Sequence, residues 1–405
     1  MNKSEAIAYL YQLPHLHPRN DLSYIKTVLQ ALGNPQAKTP AIHVTGTNGK
    51  GSTCYYLSAL LKQAGQKTGL FVSPYVIDFN ERIQINGRMI SDQLLLAAFA
   101  AVKTVIDDIQ ADQPQFQLTT FEFETCMAFW AFNHEHCDYA VIEVGIGGEH
   151  DKTNVITPVV SIITTIGLDH EQLIGPTLAD IAREKSGIIK AQRPVVLGNV
   201  PAEVLPIVLA KAKAEAAPVV RLGRDFQPAD FLNKALAEQI DAGCALAAFQ
   251  QLSVKLGKEQ IISTLQAVNI PGRYQVLGHQ PLIIADGAHN VQAMAQLLAY
   301  VRKLPHRRLH VLLGMMKDKD LDAVLHLFQA DEKVYLTRID YPRAAKLHDF
   351  PAWAQARFDY EPDYKRALAR IMQQAKADDV ILITGSFYLV GAVLQVMKAG
   401  TDDAR

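Results

Sequence analysis

Charge of one sign is missing from this chain. Its 405 residues carry 40 Lys and Arg against 41 Asp and Glu, a formal net charge of −1. No general field therefore draws it to nucleic acid or to an anionic membrane, and any anion must be gathered by a local site. Cysteine is scarce: Cys54, Cys126, Cys137 and Cys244 are scattered, with no C-x-x-C pair. That argues against a disulfide framework and leaves reduced, buried thiols as the expectation. No apolar run approaches transmembrane length, and Met1-Asn2-Lys3-Ser4-Glu5 lacks an apolar signal core. Internal repeats and low-complexity tracts are absent as well. A soluble, cytoplasmic enzyme of about two or three domains is expected, with no membrane or nucleic-acid partner.

What is present is a phosphate-binding loop. His43-Val44-Thr45-Gly46-Thr47-Asn48-Gly49-Lys50-Gly51-Ser52 lies between a short apolar run, Ala41–Val44, and a helical pattern carried by Tyr55, Leu57, Ala59, Leu60 and Leu61. Glycines at this density let the backbone wrap tightly and turn N–H groups inward, while the following helix N-terminus favours an anion. Lys50 can reach the bridging oxygens of a triphosphate, and the Ser52 hydroxyl sits where magnesium or a phosphate oxygen would be. The spacing departs from G-x-x-x-x-G-K-[ST]: Gly51 stands between Lys50 and Ser52. ATP is the expected ligand.

Strand and helix patterns alternate along the chain. Ala41–Thr45, Thr68–Val72, Tyr139–Val144, Val159–Thr164 and Pro194–Leu197 read as strands, and Leu94–Ile109 and Phe121–Asn133 as helices. This predicts an α/β fold: a P-loop mononucleotide-binding domain with a mainly parallel sheet over residues 1–270. A second alternation follows Pro271-Gly272-Arg273, with strands at Leu282–Ala285, His310–Leu313, Lys333–Leu336 and Val380–Thr384. It predicts a hinge at 271–275 and a smaller Rossmann-like α/β domain over 276–405.

Ligands of open parallel sheets collect at the carboxyl ends of strands. Ser73, Glu143 and Asp169-His170 fall there, offering hard oxygens and one imidazole suited to magnesium beside phosphates. Lys185 shares an apolar helical stripe with Leu178, Ile181 and Ala182, in a helix predicted to start at Pro176. A free ammonium is costly there. The stem either snorkels to solvent or carries a neutralised or modified amine. Asp286-Gly287-Ala288-His289-Asn290 follows a strand and suits a nucleotide's ribose or phosphates, with helix capping as the plain alternative.

Taken together these segments resemble the folylpolyglutamate synthases, a branch of the Mur ligases. The match runs through Thr45–Ser52, Ser73-Pro74, Phe79-Asn80-Glu81-Arg82, Thr119–Glu122, Glu143–Gly148, Thr153-Asn154 and Asp169-His170. It continues through Glu184–Lys190, Pro271-Gly272-Arg273, Asp286–Asn290, Lys317–Asp320, Pro342-Arg343-Ala344 and Thr384-Gly385-Ser386. The resemblance implies a C-terminal glutamate-ligase domain and an ATP-dependent amide ligase acting on folate and L-glutamate through an acyl phosphate. It implies ATP contacts from Thr47, Asn48, Gly49, Lys50, Gly51, Ser52, Arg273, Asp286 and His289. Two magnesium sites would draw on Ser52, Ser73, Glu143, His170 and a carbamylated Lys185, and catalysis would centre on Lys50, Glu143, His170 and Lys185. The expected protein is a monomer. Alternatives are a bifunctional dihydrofolate and folylpolyglutamate synthase, or a divergent paralogue that binds folate or nucleotide without turnover. The chain departs from the family pattern at a short Arg221–Gln239 stretch, at Glu238–Ala242 in place of a His-Gln-x-x-Asn motif on the adenine side, and at Glu149, where arginine is common.

Overall fold

The computed structural model describes residues 1–17 and 21–402. They form two compact units. The first comprises Met1–Ser73 and Phe79–Val268, the second Pro74–Asp78 and the chain from Asn269 on.

The first unit is built on eight strands: β1 (Ala41–Thr45), β2 (Thr68–Phe71), β3 (Ile83–Ile85), β4 (Arg88–Met89), β5 (Tyr139–Glu143), β6 (Val160–Thr165), β7 (Val195–Asn199) and β8 (Val219–Arg221). Their order is β4-β3-β2-β5-β1-β6-β7-β8. β2 through β8 in that order are parallel, and β3 and β4 add an antiparallel edge. The central strands AIHVT and VSIITT are buried at every position. Such runs need cover on both faces, which parallel sheets with crossover helices provide. The register pairs Val44 with Glu143 and Thr45 with Ile163, so the carboxyl ends of β1, β5 and β6 share one edge.

Helices start where their caps dictate. Thr119 and Glu122 form a capping box ahead of Thr120–His134, and Thr177 and Asp180 do the same ahead of Leu178–Ser186. The second of these helices thus begins two residues after Pro176, because the Thr177 cap fixes its first turn.

The second unit holds six strands: β9 (Gln275–His279), β10 (Leu282–Ala285), β11 (Leu309–Leu313), β12 (Lys333–Arg338), β13 (Asp359–Asp363) and β14 (Val380–Thr384), in the order β13-β12-β11-β14-β10-β9. All are parallel except β9. The sequence reading lacks β9 and β13, whose glycine, proline and acids suit only sheet edges. Sequence also gives no sign that Pro74–Asp78 belongs here: Val76 and Ile77 pack on the apolar cluster that contains Leu389, Val390 and Val393. All four cysteines are free and buried. Among the described residues, no helix is long and apolar enough to cross a membrane.

Candidate active site

The loop predicted to bind phosphate leaves β1 and enters the helix Lys50–Gln63 through Gly49. Gly49 has φ +83°, and a Cβ there would lie 2.1 Å from Asp241 Oδ1. Only glycine fits that left-handed, crowded position. Two threonines at the end of β6 hold the loop from below. Asn48 N donates to Thr165 Oγ1 (2.8 Å), Thr164 Oγ1 donates to Asn48 O (2.6 Å), and Thr47 Oγ1 donates to Gly167 O (2.9 Å). Lys50 folds back over this frame, its Nζ donating to Gly46 O at 2.9 Å.

Glu143 ends β5 with 5% of its surface exposed and accepts the Ser73 N–H at 2.9 Å. A Cβ on Gly51 would come within 3.3 Å of Glu143 Oε2. This accounts for the unusual spacing of the loop: the glycine after Lys50 leaves room for a carboxylate against the first helical turn. Ser52, also buried, lies one residue further on. The loop, Ser73 and Glu143 are thus brought together as the sequence suggested.

Lys185 is 4% exposed, which rules out snorkelling: the helix stripe points its whole side chain inward. Burial, reinforced by the Lys50 charge, brings its pKa from 10.5 down to about 7, against the opposing pull of Asp169, Glu184 and Asp151. His170 adopts a left-handed backbone (φ 54°), with Nε2 3.8 Å from Asp169 Oδ2. Beside Lys185 the 145–153 loop is pinned from two sides. The Glu184 carboxylate accepts the N–H groups of Gly148 and His150. Asp151 accepts from Ile146 N at 2.9 Å and from the Thr153 N–H and hydroxyl, and His43 Nε2 meets Thr153 Oγ1 at 2.8 Å. Burial pushes His43 down to about 3, so it is neutral at physiological pH.

In the second unit Asp286 is buried and accepts from Tyr274 N (2.9 Å) and Ala288 N (2.8 Å). Burial raises its pKa, the Arg273 charge opposing. The Arg273 guanidinium stacks 4.4 Å from the centre of the Phe387 ring, and His289 Nδ1 donates to Gly287 O at 2.8 Å. Arg273, Asp286 and His289 therefore form one group. The capping role falls to Asn290, whose Oδ1 accepts from Ala293 N. Asp320 caps the short helix Leu321–Leu325, and Asp318 lies 3.4 Å from Arg343.

Three loop-bracing residues escape the sequence reading. Thr164 and Thr165 sit at the carboxyl end of β6, where the sequence pattern singled out Asp169-His170 instead. Asp241, buried, is visible only once the helix Leu236–Phe249 is seen against Lys50–Gln63, where Thr53 Oγ1 donates to Asp241 O (3.3 Å) and Tyr56 OH donates to Glu238 Oε1 (3.4 Å). The shortened stretch before it still delivers this helix to the loop.

Residues 44–277 match the Mur ligase middle domain, and residues 272–387 match the Mur ligase glutamate ligase domain. The chain belongs to the Mur ligase family. Within it, the similarity is to folylpolyglutamate synthases along almost the whole length. The folylpolyglutamate synthase of Lacticaseibacillus casei is 36% identical, covering 99% of this chain and 100% of its own. The dihydrofolate synthase/folylpolyglutamate synthase of Escherichia coli is 29% identical, covering 98% and 96%. Among solved structures, a folylpolyglutamate synthase complex with AMPPCP and folate superposes with a TM-score of 0.87 at 34% identity, over 98% of this chain and all of the other. The resemblance read from the motifs is borne out, as is the two-part α/β fold.

Proposed function

We propose that this chain adds L-glutamate to a folate by ATP-dependent amide ligation, releasing ADP and phosphate. The observation that carries the reading is the convergence of Lys50, the Gly49 turn, Ser73 and Glu143 at one sheet edge, in a chain that aligns end to end with folylpolyglutamate synthases. The first unit is assigned the ATP-binding part. The second is assigned the glutamate-ligase part, with Arg273, Asp286 and His289 as its nucleotide contacts.

The N–H groups in the first turn of the helix Lys50–Gln63 and the Lys50 ammonium bind the triphosphate, Lys50 exchanging its bond to Gly46 O for phosphate oxygens. The folate carboxylate attacks the γ-phosphorus, giving an acyl phosphate and ADP. The amine of glutamate then attacks the acyl carbon, phosphate leaves, and the amine proton passes to solvent or base as the amide forms. Ser52, Ser73 and Glu143 offer the hard oxygen donors that magnesium prefers, and His170 would add an imidazole. Magnesium, when bound there, supplies charge neutralisation on the phosphates.

Lys185 fits carbamylation. A lysine held near 7 presents a neutral amine whose lone pair can attack carbon dioxide, forming an N–C bond and releasing a proton. The product is a buried anion where a buried cation stood, able to join Glu143 and His170 at a second magnesium. Free, buried cysteines support a reducing, cytoplasmic setting.

The test is to incubate the protein with ATP, magnesium and glutamate, offering a tetrahydrofolate or dihydropteroate, and to follow ADP release and product mass. Gain of one glutamyl residue on tetrahydrofolate is expected. Turnover of dihydropteroate as well marks a bifunctional enzyme. No ADP with either acceptor refutes the reading and leaves a protein that binds without turnover.

A further inference from the structure

Glu149, His150 and Glu184 bring one imidazole nitrogen and two carboxylate oxygens within 4.8 Å of one another. Neither Glu149 nor His150 takes part in the chemistry above. The backbone that carries them is fixed. Glu149 N donates to Glu184 O (2.8 Å), His150 N donates to Glu184 Oε1 (2.9 Å), and Asn154 Nδ2 donates to Glu149 O (2.9 Å). Holding the loop requires only the Glu184 carboxylate. A second carboxylate at that spot adds repulsion unless a cation offsets it. Lys190, whose Nζ donates to Gly187 O (3.1 Å), offsets part of that repulsion through its charge.

We propose that Glu149, His150 and Glu184 form a binding site for a divalent transition metal, of the Zn²⁺ or Co²⁺ class. One imidazole nitrogen with two carboxylate oxygens is a donor set that such ions take readily. His150 Nδ1 lies 2.8 Å from Glu184 Oε2, slightly closer than two ligands of one tetrahedral ion sit. Binding replaces that hydrogen bond by a metal–nitrogen bond, releases the Nδ1 proton to solvent, and opens the pair by a few tenths of an ångström, about what exposed side chains can give. Water completes the coordination on the exposed side.

The test titrates Zn²⁺, and separately Co²⁺, into the full chain held in saturating ADP and magnesium. One equivalent of Zn²⁺ and a visible Co²⁺ absorption band typical of four or five ligands are expected. His150→Ala and Glu149→Gln alter exposed side chains, so the fold is not at stake; each is expected to weaken Zn²⁺ binding about tenfold or more. Absence of stoichiometric binding overturns the proposal. So does a wild-type affinity in His150→Ala, which would place the ion elsewhere.

Discussion

His43 offers a quantitative test of the buried network beneath the phosphate loop. Thr153 gives its hydroxyl hydrogen to Asp151, so His43 must donate through Nε2 and keep Nδ1 unprotonated. Nδ1 is buried without a hydrogen-bond partner. Protonating it would place a charge in a site with no acceptor, which is why burial, with a smaller push from Lys190, lowers the pKa from 6.5 to about 3. The unfolded chain binds the proton more readily than the folded one. The stability that neutral His43 contributes is therefore complete above pH 6.5 and is lost as pH falls toward 3. At about 1.4 kcal/mol for each tenfold change, the loss between pH 7 and pH 5 is about 2 kcal/mol from this residue alone. His43→Gln retains an amide donor for Thr153 and cannot titrate. Urea unfolding of both proteins at pH 7 and pH 5 isolates the term as a difference of differences. The variant is expected to lose about 2 kcal/mol less than the parent on acidification. Equal losses in the two proteins would refute the argument, whatever the variant's stability at pH 7.

Other expectations follow from the site. Lys185→Ala should abolish glutamate addition and regain part of it when formate or acetate is supplied; activity equal to the parent would remove the carbamate idea. Gly49→Ala should raise the Kd for ATP about tenfold or more, since left-handed backbone alone costs about 1 kcal/mol and the added carbon meets Asp241; calorimetry showing an unchanged Kd would contradict it. Thr165→Val removes the acceptor for Asn48 N–H and should raise the KM for ATP by several-fold, about 1 kcal/mol, with unfolding little altered. A shift in the glutamate KM instead would count against that assignment.

The phosphate loop was legible in the sequence because its chemistry is local: strand, glycines, lysine and hydroxyl follow one another along ten residues. The central strands were legible because burial on both faces writes unbroken apolar runs. Edge strands β9 and β13 carry no such mark, since solvent on one side frees them to hold Gly, Pro and Asp. Lys185 stood out as a cation on an apolar stripe, yet periodicity fixes only a face. How deeply that face is covered depends on the neighbouring 145–153 loop. Asp241 lies inside the Glu238–Ala242 stretch that departs from the family's His-Gln-x-x-Asn motif, with no sign of its own. Its approach to Gly49 arises from two helices far apart in sequence, which no local pattern encodes.

The excursion of Pro74–Asp78 bears on how the chain is made. These five residues leave the ribosome early, yet Val76 and Ile77 belong to a cluster completed by Leu389, Val390 and Val393. About three hundred residues must be synthesised before that cluster can close, so the last part of the second unit to settle includes one of the first pieces translated. A fragment beginning at Asn269 would lack this strap and expose the apolar surface it covers. Domain dissection should therefore carry the 74–78 segment along, joined by a designed linker.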